Sequence, residues 1–447
     1  MIKFLKREEI KFLITYFILV ISHHLLPNII GQIVLFSTLI FFYFSKKKYY
    51  WLAIFVLILT SAAGFFSIFV KYPMVAGVPF QILVVLLIVA KVLSKSSMPH
   101  VFYRNIFIML LFLLIMIRVT TDFDIKAILK HNTSFLLLIF LPALLMQIDE
   151  IEKFIKLICV GLLIVFIGQW FHIFTGESIA GTLFGAGRVA YYKMIESNTE
   201  GLVRSVEGIG ISFMALVGSA FLIALKPKVR YNYIMLVISF ISIWITATRG
   251  WIIASVIILI PMLFTLRKSQ IVNITVVVVI TVLLISQIDI LNRQFYLALD
   301  RLETVESIAT GDKSAGGTLL RLTDRHVPVW NKFLESPIFG WGYSKEYAKV
   351  ADGHVGNQNL LLNVGIFGYT LFLILIFTYI FAMVKVGGSS SKMRLVSNIL
   401  IAAIIAVFLI HSTSRQMFAF GGDFYSQFII AFLFTLANYT YFHSNIY

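Results

Sequence analysis

With one cysteine, nine prolines and only 21 acidic residues among 447, the chain lacks what several protein classes require. The lone Cys159 can form no internal disulfide, so a disulfide scaffold is excluded and cysteine usage says nothing about compartment. Charged residues make up 13% of the chain, too few for an ordinary soluble surface or a disordered polymer. No acidic residue falls in the middle of a predicted span, which disfavours cation-coupled transport because that chemistry needs an intramembrane carboxylate. A Walker-type Gly-Lys-Ser/Thr is missing, and the glycines from Gly181 to Gly187 lack the strand-to-helix setting of a nucleotide loop. His23-His24 has no Cys or carboxylate partner and Asp122-Phe-Asp124 has no third ligand, so neither metal nor other cofactor is expected. The 42 phenylalanines read as lipid-facing and core residues and not as a stacking platform for nucleic acid.

What remains is apolar. Sixty per cent of the residues are hydrophobic and the mean hydropathy is +0.93, which identifies an all-α integral membrane protein. At about 20 residues per crossing, hydropathy predicts about 14 transmembrane helices, with 12–14 as the range, in one polytopic domain covering 1–447. The blocks fall at 10–26, 29–44, 50–70, 75–93, 105–119, 133–147, 155–174, 208–225, 231–247, 251–266, 271–289, 358–384, 395–411 and 424–443. The first follows four basic residues but has no small-residue cleavage site, which favours a retained anchor over a removed signal peptide.

Basic residues orient the spans. With the N-terminus inside, cytoplasmic ends collect 20 Lys and Arg, whereas short segments on the other side hold six: Lys71, Arg118, Lys126, Lys130, Arg249 and Arg415. Two hydrophilic segments then face outward, a smaller one at 175–207 and a large one at 290–357. The larger carries Leu299, Leu302, Val305 and Ile308 at the spacing of a surface-lying amphipathic helix, then a Gly-rich stretch. A helix interrupted by Pro328 is expected next, over 319–336, ended by the turn Pro337-Ile-Phe-Gly-Trp-Gly342. A long loop with helices of its own reads as a functional cap.

The net charge of +16 favours anionic headgroups, phosphates or pyrophosphates as partners. Arg249 in Ile245-Thr-Ala-Thr-Arg-Gly250 lies at the outer boundary; it could snorkel to headgroups, but Gly250 permits close approach and Thr246 and Thr248 offer hydroxyl donors suited to a phosphate oxygen. Arg321 and Arg325 share one face of a continuous helix and could present two guanidinium forks to one anion, against the plainer reading of a basic face paired with Asp324. Arg188, Arg204 and Arg415 face the same side, where structural or lipid-facing roles compete with substrate contact. His354 precedes a predicted helix N-terminus, which opposes protonation and keeps the imidazole in its proton-accepting form. Asn357, Gln358 and Asn359 beside it can bind sugar hydroxyls.

In order and spacing this outer region resembles the bacterial O-antigen polymerase and O-antigen ligase superfamily. A span ends in Thr248-Arg249-Gly250; a large outer loop carries Arg325, Trp330, Pro337 and Gly340-Trp-Gly342; His354 follows, about eleven residues before Gly365-Ile-Phe-Gly368. The resemblance covers about 120 residues and is architectural elsewhere. Val355 stands where the superfamily usually has Asn after the His, and the Arg that commonly lies four residues before the Trp is five before it as Arg325 and nine as Arg321, so both stay candidates.

The resemblance implies a fold similar to lipid-dependent, GT-C-type glycosyltransferases. It also implies transfer of a saccharide from undecaprenyl pyrophosphate at the outer face of the bacterial inner membrane. Arg249, Arg321 and Arg325 would hold the pyrophosphate, and His354 would activate the acceptor. The partners expected are the lipid-linked glycan donor, a lipid-linked saccharide acceptor, membrane lipids and a chain-length regulator protein. Polymerase is the leading expectation, with O-antigen ligase, which uses a lipid A-core acceptor, as its alternative. A polysaccharide flippase ranks lower because a transporter with a central cavity does not require a 68-residue outer loop bearing His and Arg.

Overall fold

The computed structural model describes residues 7–25, 28–44, 74–75, 78–94, 136–144, 148–175, 208–246, 248–265, 324–413 and 424–444, with isolated positions at 111, between 271 and 302, and at 417. Among the described residues the chain is helical apart from one antiparallel pair, Met74–Val75 (β1) with Val78–Pro79 (β2), in which Met74 opposes Pro79. Helices run over Arg7–Leu25 (α1), Asn28–Phe44 (α2), Phe80–Leu93 (α3), Ile148–Thr175 (α4), Ile209–Leu225 (α5), Arg230–Ile245 (α6) and Arg249–Thr265 (α7). They continue with His326–Leu334 (α8), Lys345–Val350 (α9), Gly356–Gly387 (α10), Ser391–Thr413 (α11) and Phe424–His443 (α12).

Three of them, Asp149–Thr175 within α4, α10 and α11, are long and apolar enough to cross a membrane, which points to a membrane-embedded protein. Helices α5, α6 and α7 are also apolar but have 17, 16 and 17 residues, about 25 Å each at 1.5 Å per residue. The expected block at 50–70 lies outside the described residues, as do 105–119 apart from position 111, 176–207 and most of 271–323.

The helices depart from the sequence expectations in several places. Helix α4 begins at Ile148 and not at 155, because Asp149 and Glu150 in its first turn suit the positive end of the helix dipole, a gain that hydropathy does not register. The block at 75–93 opens with the β1–β2 pair and becomes helical only at Phe80. Pro328 does not interrupt α8: it is the third residue of that helix, where no backbone N–H is owed to an earlier carbonyl.

The contacts divide the chain into two compact units: Met1–Leu87 with Gln147–Ser255 and Leu263–Arg301, and Ile88–Met146 with Val256–Met262 and Leu302–Tyr447. In the first, every residue of α5 is buried, as expected of a helix apolar on all sides. Gly218 makes room for α4, since a Cβ there would come within 2.8 Å of the Ile155 side chain. Three polar side chains inside form one cluster: Ser242 donates to Gln169 Oε1 at 2.7 Å, Gln169 Nε2 donates to the Ser242 carbonyl at 3.2 Å, and Ser212 Oγ lies 2.8 Å from Ser242 Oγ. Glu152 near the start of α4 pairs with Lys156 and with Lys226 at the end of α5, so two helix ends assigned to one side by the charge alternation lie together.

In the second unit α10, α11 and α12 pack against one another, with Tyr379 stacked on Phe434 at 3.9 Å between ring centres. The close start of α10 beside α11 needs glycine at 356, because a Cβ there would come within 2.1 Å of the His411 carbonyl oxygen. Helices α8 and α9 form a cap over the first turns of α10. Val329 and Phe333 of α8 bury against Val355 and Leu362, flanked by Trp341, Tyr347 and Val350.

Candidate functional site

The cap is joined to α10 through a break in that helix. Gly365 sits at φ +65°, ψ −174°, which interrupts the i to i−4 ladder and releases backbone groups that must find other partners. The turn from Pro337 to Gly342 supplies them. Trp341 N and Gly342 N donate to the carbonyls of Leu362 and Asn363, both at 2.8 Å, while Ile366 N and Phe367 N donate to those of Pro337 and Ile338 at 2.8 and 3.1 Å. The fully buried Asn363 adds a bond from Nδ2 to the Gly342 carbonyl at 2.8 Å. Both strands of this junction require glycine: Gly340 has φ +71°, and a Cβ at Gly365 would come within 2.2 Å of the Ile338 oxygen. The turn glycines and the Gly365-Ile-Phe-Gly368 element of the sequence are therefore two halves of one backbone junction.

Trp341 anchors the turn. Its Nε1–H donates to the Lys332 carbonyl at 2.8 Å, and the Lys332 ammonium lies 4.1 Å from the ring centre. Lys332 is held more basic than usual chiefly by its hydrogen bond to Glu335, with Glu346 adding to it. The Glu346 carboxyl is held below its ordinary range by Lys349 first and Lys332 second. Burial drives the Tyr343 phenol well above its ordinary value.

Above the junction the structure brings Arg325, His354 and Asn359 together through Asp352. Arg325 closes the N-terminus of α8 and donates from Nε to Asp352 Oδ2 at 2.9 Å. Asp352 Oδ1 accepts the backbone N–H of His354 at 2.9 Å, the i to i+2 bond of an Asx turn. Asn359 clamps the same residue from α10: its Oδ1 accepts from Asp352 N at 3.1 Å and its Nδ2 donates to the Asp352 carbonyl at 2.6 Å. His354 is half-buried two residues before α10, and Arg325 keeps 43% of its side chain exposed with four further guanidinium N–H groups beyond the Asp352 bond. Such an arrangement ties the Arg325 guanidinium and the backbone of His354 to one carboxylate.

Several expected roles change. Asn359 is buried and its amide is committed to Asp352, so it positions the loop; Asn357 donates to Ser412 Oγ at 2.9 Å and accepts from the Tyr369 hydroxyl at 3.3 Å, which ties α10 to α11. Arg325 pairs with Asp352 rather than with neighbouring Asp324, the N-cap position of α8 bringing its guanidinium to the loop before α10. Arg249 is the half-buried first residue of α7, in the first unit, but the nearby hydroxyls do not face outward: Thr246 Oγ1 donates to the Ile243 carbonyl at 2.7 Å and Thr248 Oγ1 to the Thr246 carbonyl at 3.2 Å. Both threonines serve the tight connection between α6 and α7, where only three residues separate the helices. Arg188, Arg204, Arg321, Arg415, Asp122 and Asp124 lie outside the described residues.

Asp352 and His411 were not singled out from the sequence. The Asp-x-His spacing is the signal that could have marked Asp352. His411, fully buried in α11 with Nδ1 accepting from Met417 N at 3.1 Å, has no such signal, since its neighbours arrive from α10. No family model and no curated protein matches the chain.

Proposed function

We propose that the protein is a metal-independent polysaccharide polymerase at the outer face of the bacterial inner membrane, on a GT-C-like fold of about 14 spans. It would move a growing glycan from undecaprenyl pyrophosphate onto a lipid-linked repeat unit. The observation that carries this reading is the fixed loop in which Asp352 holds Arg325 by its side chain and His354 by its backbone, inside a cap locked onto a membrane-length helix.

The chemistry suits those residues. An acceptor hydroxyl attacks the anomeric carbon, its proton passes to the His354 imidazole, and the bond from carbon to the pyrophosphate oxygen breaks. Negative charge then grows on the leaving pyrophosphate, where Arg325, Arg321 and Arg249 would stabilise it without a metal. The Asp352 pair orients Arg325 while its exposed fork stays available to an anion. The excess of basic residues, +16 overall, agrees with an anionic lipid substrate.

The test is reconstitution in proteoliposomes with purified lipid-linked repeat units. Longer lipid-linked chains are the expected product. Product only after lipid A-core is added would identify a ligase, and movement of the lipid across the bilayer with no new glycosidic bond would overturn the enzymatic reading in favour of a flippase.

A further inference from the structure

The cap carries an exposed apolar surface that the proposed chemistry does not use. On α8, Val329 and Phe333 point into the core, whereas Val327, Trp330 and Leu334 lie at helical spacing on an exposed flank, where the Trp330 ring is backed by that of Phe333 at 5.1 Å between ring centres. The turn after it exposes Ile338 and Phe339, and Phe339 meets Phe367 of α10 edge to face at 5.9 Å. Phe367 and Ile366 are themselves exposed, and from them an apolar stripe runs down α10 through Ile374, Phe377, Phe381 and Val384 to Lys385. Between 356 and 364, before the break, no residue of α10 is exposed.

That division matches a bilayer. From Ile366 to Gly387 the helix has 22 residues, about 33 Å at 1.5 Å per residue, against about 30 Å of hydrocarbon. The stripe is the lipid-facing side of this segment, with Lys385 placed to reach headgroups at the far end. The break at Gly365 then falls at the outer boundary of the hydrocarbon, and the apolar side of the cap is continuous with the stripe at that level. A tryptophan on an amphipathic helix beside a membrane boundary is the composition of an interfacial anchor.

We propose that Val327, Trp330, Leu334, Ile338 and Phe339 form a lipid-docking surface, by which the cap rests in the outer headgroup region of the bilayer. The seated surface sets the height of the His354 loop, nine helical residues beyond the break, or roughly 14 Å. The proposal is independent of the glycosyltransferase reading and needs only the membrane.

The experiment is site-directed spin labelling of the full chain in phospholipid nanodiscs. Cys159 is buried, so a nitroxide on Leu334→Cys or Lys349→Cys, both exposed positions of the cap, can be read above an unlabelled background. At Leu334 the collision rate with oxygen, which concentrates in lipid, should exceed that with a water-soluble nickel chelate, giving a ratio severalfold above that at Lys349. Brominated lipids should also quench a component of tryptophan emission that Trp330→Phe removes. A Leu334 label as open to nickel as the Lys349 label would overturn the proposal by placing the surface in water. Low collision with both reagents would overturn it in favour of cover by protein, either another segment or a second copy.

Discussion

At the scale of single residues, Asp352 connects the two groups of the proposed chemistry that lie in the cap, and Asn359 fixes Asp352 in turn. We expect His354→Ala and Arg249→Ala each to abolish chain elongation while the protein still inserts, because the proposed chemistry has both act on substrate; near-normal product length from either variant in the proteoliposome assay would refute its role. Asn359→Ala removes a buried amide and leaves Asp352 N and O to find other partners, a loss of about 1–3 kcal/mol. It should lower thermal stability and reduce turnover together, as read by unfolding in detergent and by the same assay. The Asp-x-His turn is written locally and was open to sequence reading, whereas the Arg325–Asp352 pair joins positions 27 apart and was not. The plainer reading of a basic face paired with Asp324 used the neighbour in sequence, whereas tertiary packing supplies Asp352.

Among the elements, the junction between α10 and the turn at 337–342 decides whether the cap is seated. Gly365→Ala meets a left-handed backbone, which costs about 1–3 kcal/mol outside glycine, and also the Ile338 oxygen at 2.2 Å from its new Cβ. The variant should release the cap, which limited proteolysis would detect as cleavage between α8 and α10 at protease levels that leave the parent intact. The ion pairs around Trp341 set a pH window. Glu346 is held below its ordinary value of 4.5, so its contribution is complete above that value and is lost as pH falls through the lower folded value. Lys332 is held above its ordinary 10.5, so its contribution is complete below that value and is lost as pH rises through the higher one. The emission difference between parent and Trp341→Phe should accordingly stay flat from about pH 5 to about pH 10 and change outside it. The carboxylates of these pairs are open to solvent although Lys332 is largely covered, so added salt should weaken the change.

For the molecule as a whole, the dominant fact is an apolar chain whose charges cluster between its hydropathy blocks. Activity in the proteoliposome assay should persist in EDTA, since a pyrophosphate leaving group can be stabilised by guanidinium groups alone. Loss of turnover that Mg²⁺ or Mn²⁺ restores would instead direct attention to Asp122 and Asp124. The side assignment is open to the same kind of check: a cysteine at Lys349 should react with an impermeant maleimide added outside intact cells, and one at Lys392 only after lysis.

Composition and hydropathy alone determined the class of the protein, the approximate bounds of helices such as α1, α2, α5 and α12, and the hydrophilic segment worth examining, because burial in lipid demands long apolar runs that a single chain must display in order. Missed helix starts such as Ile148 follow from end effects that hydropathy does not measure. Only the tertiary structure decided what the glycines of 340–342 and 365–368 are for, which carboxylate holds Arg325, and that Asn357 and Asn359 face protein. Each of these depends on backbone or side-chain groups from separate elements meeting at hydrogen-bond distance, and periodicity along one chain carries no term for that.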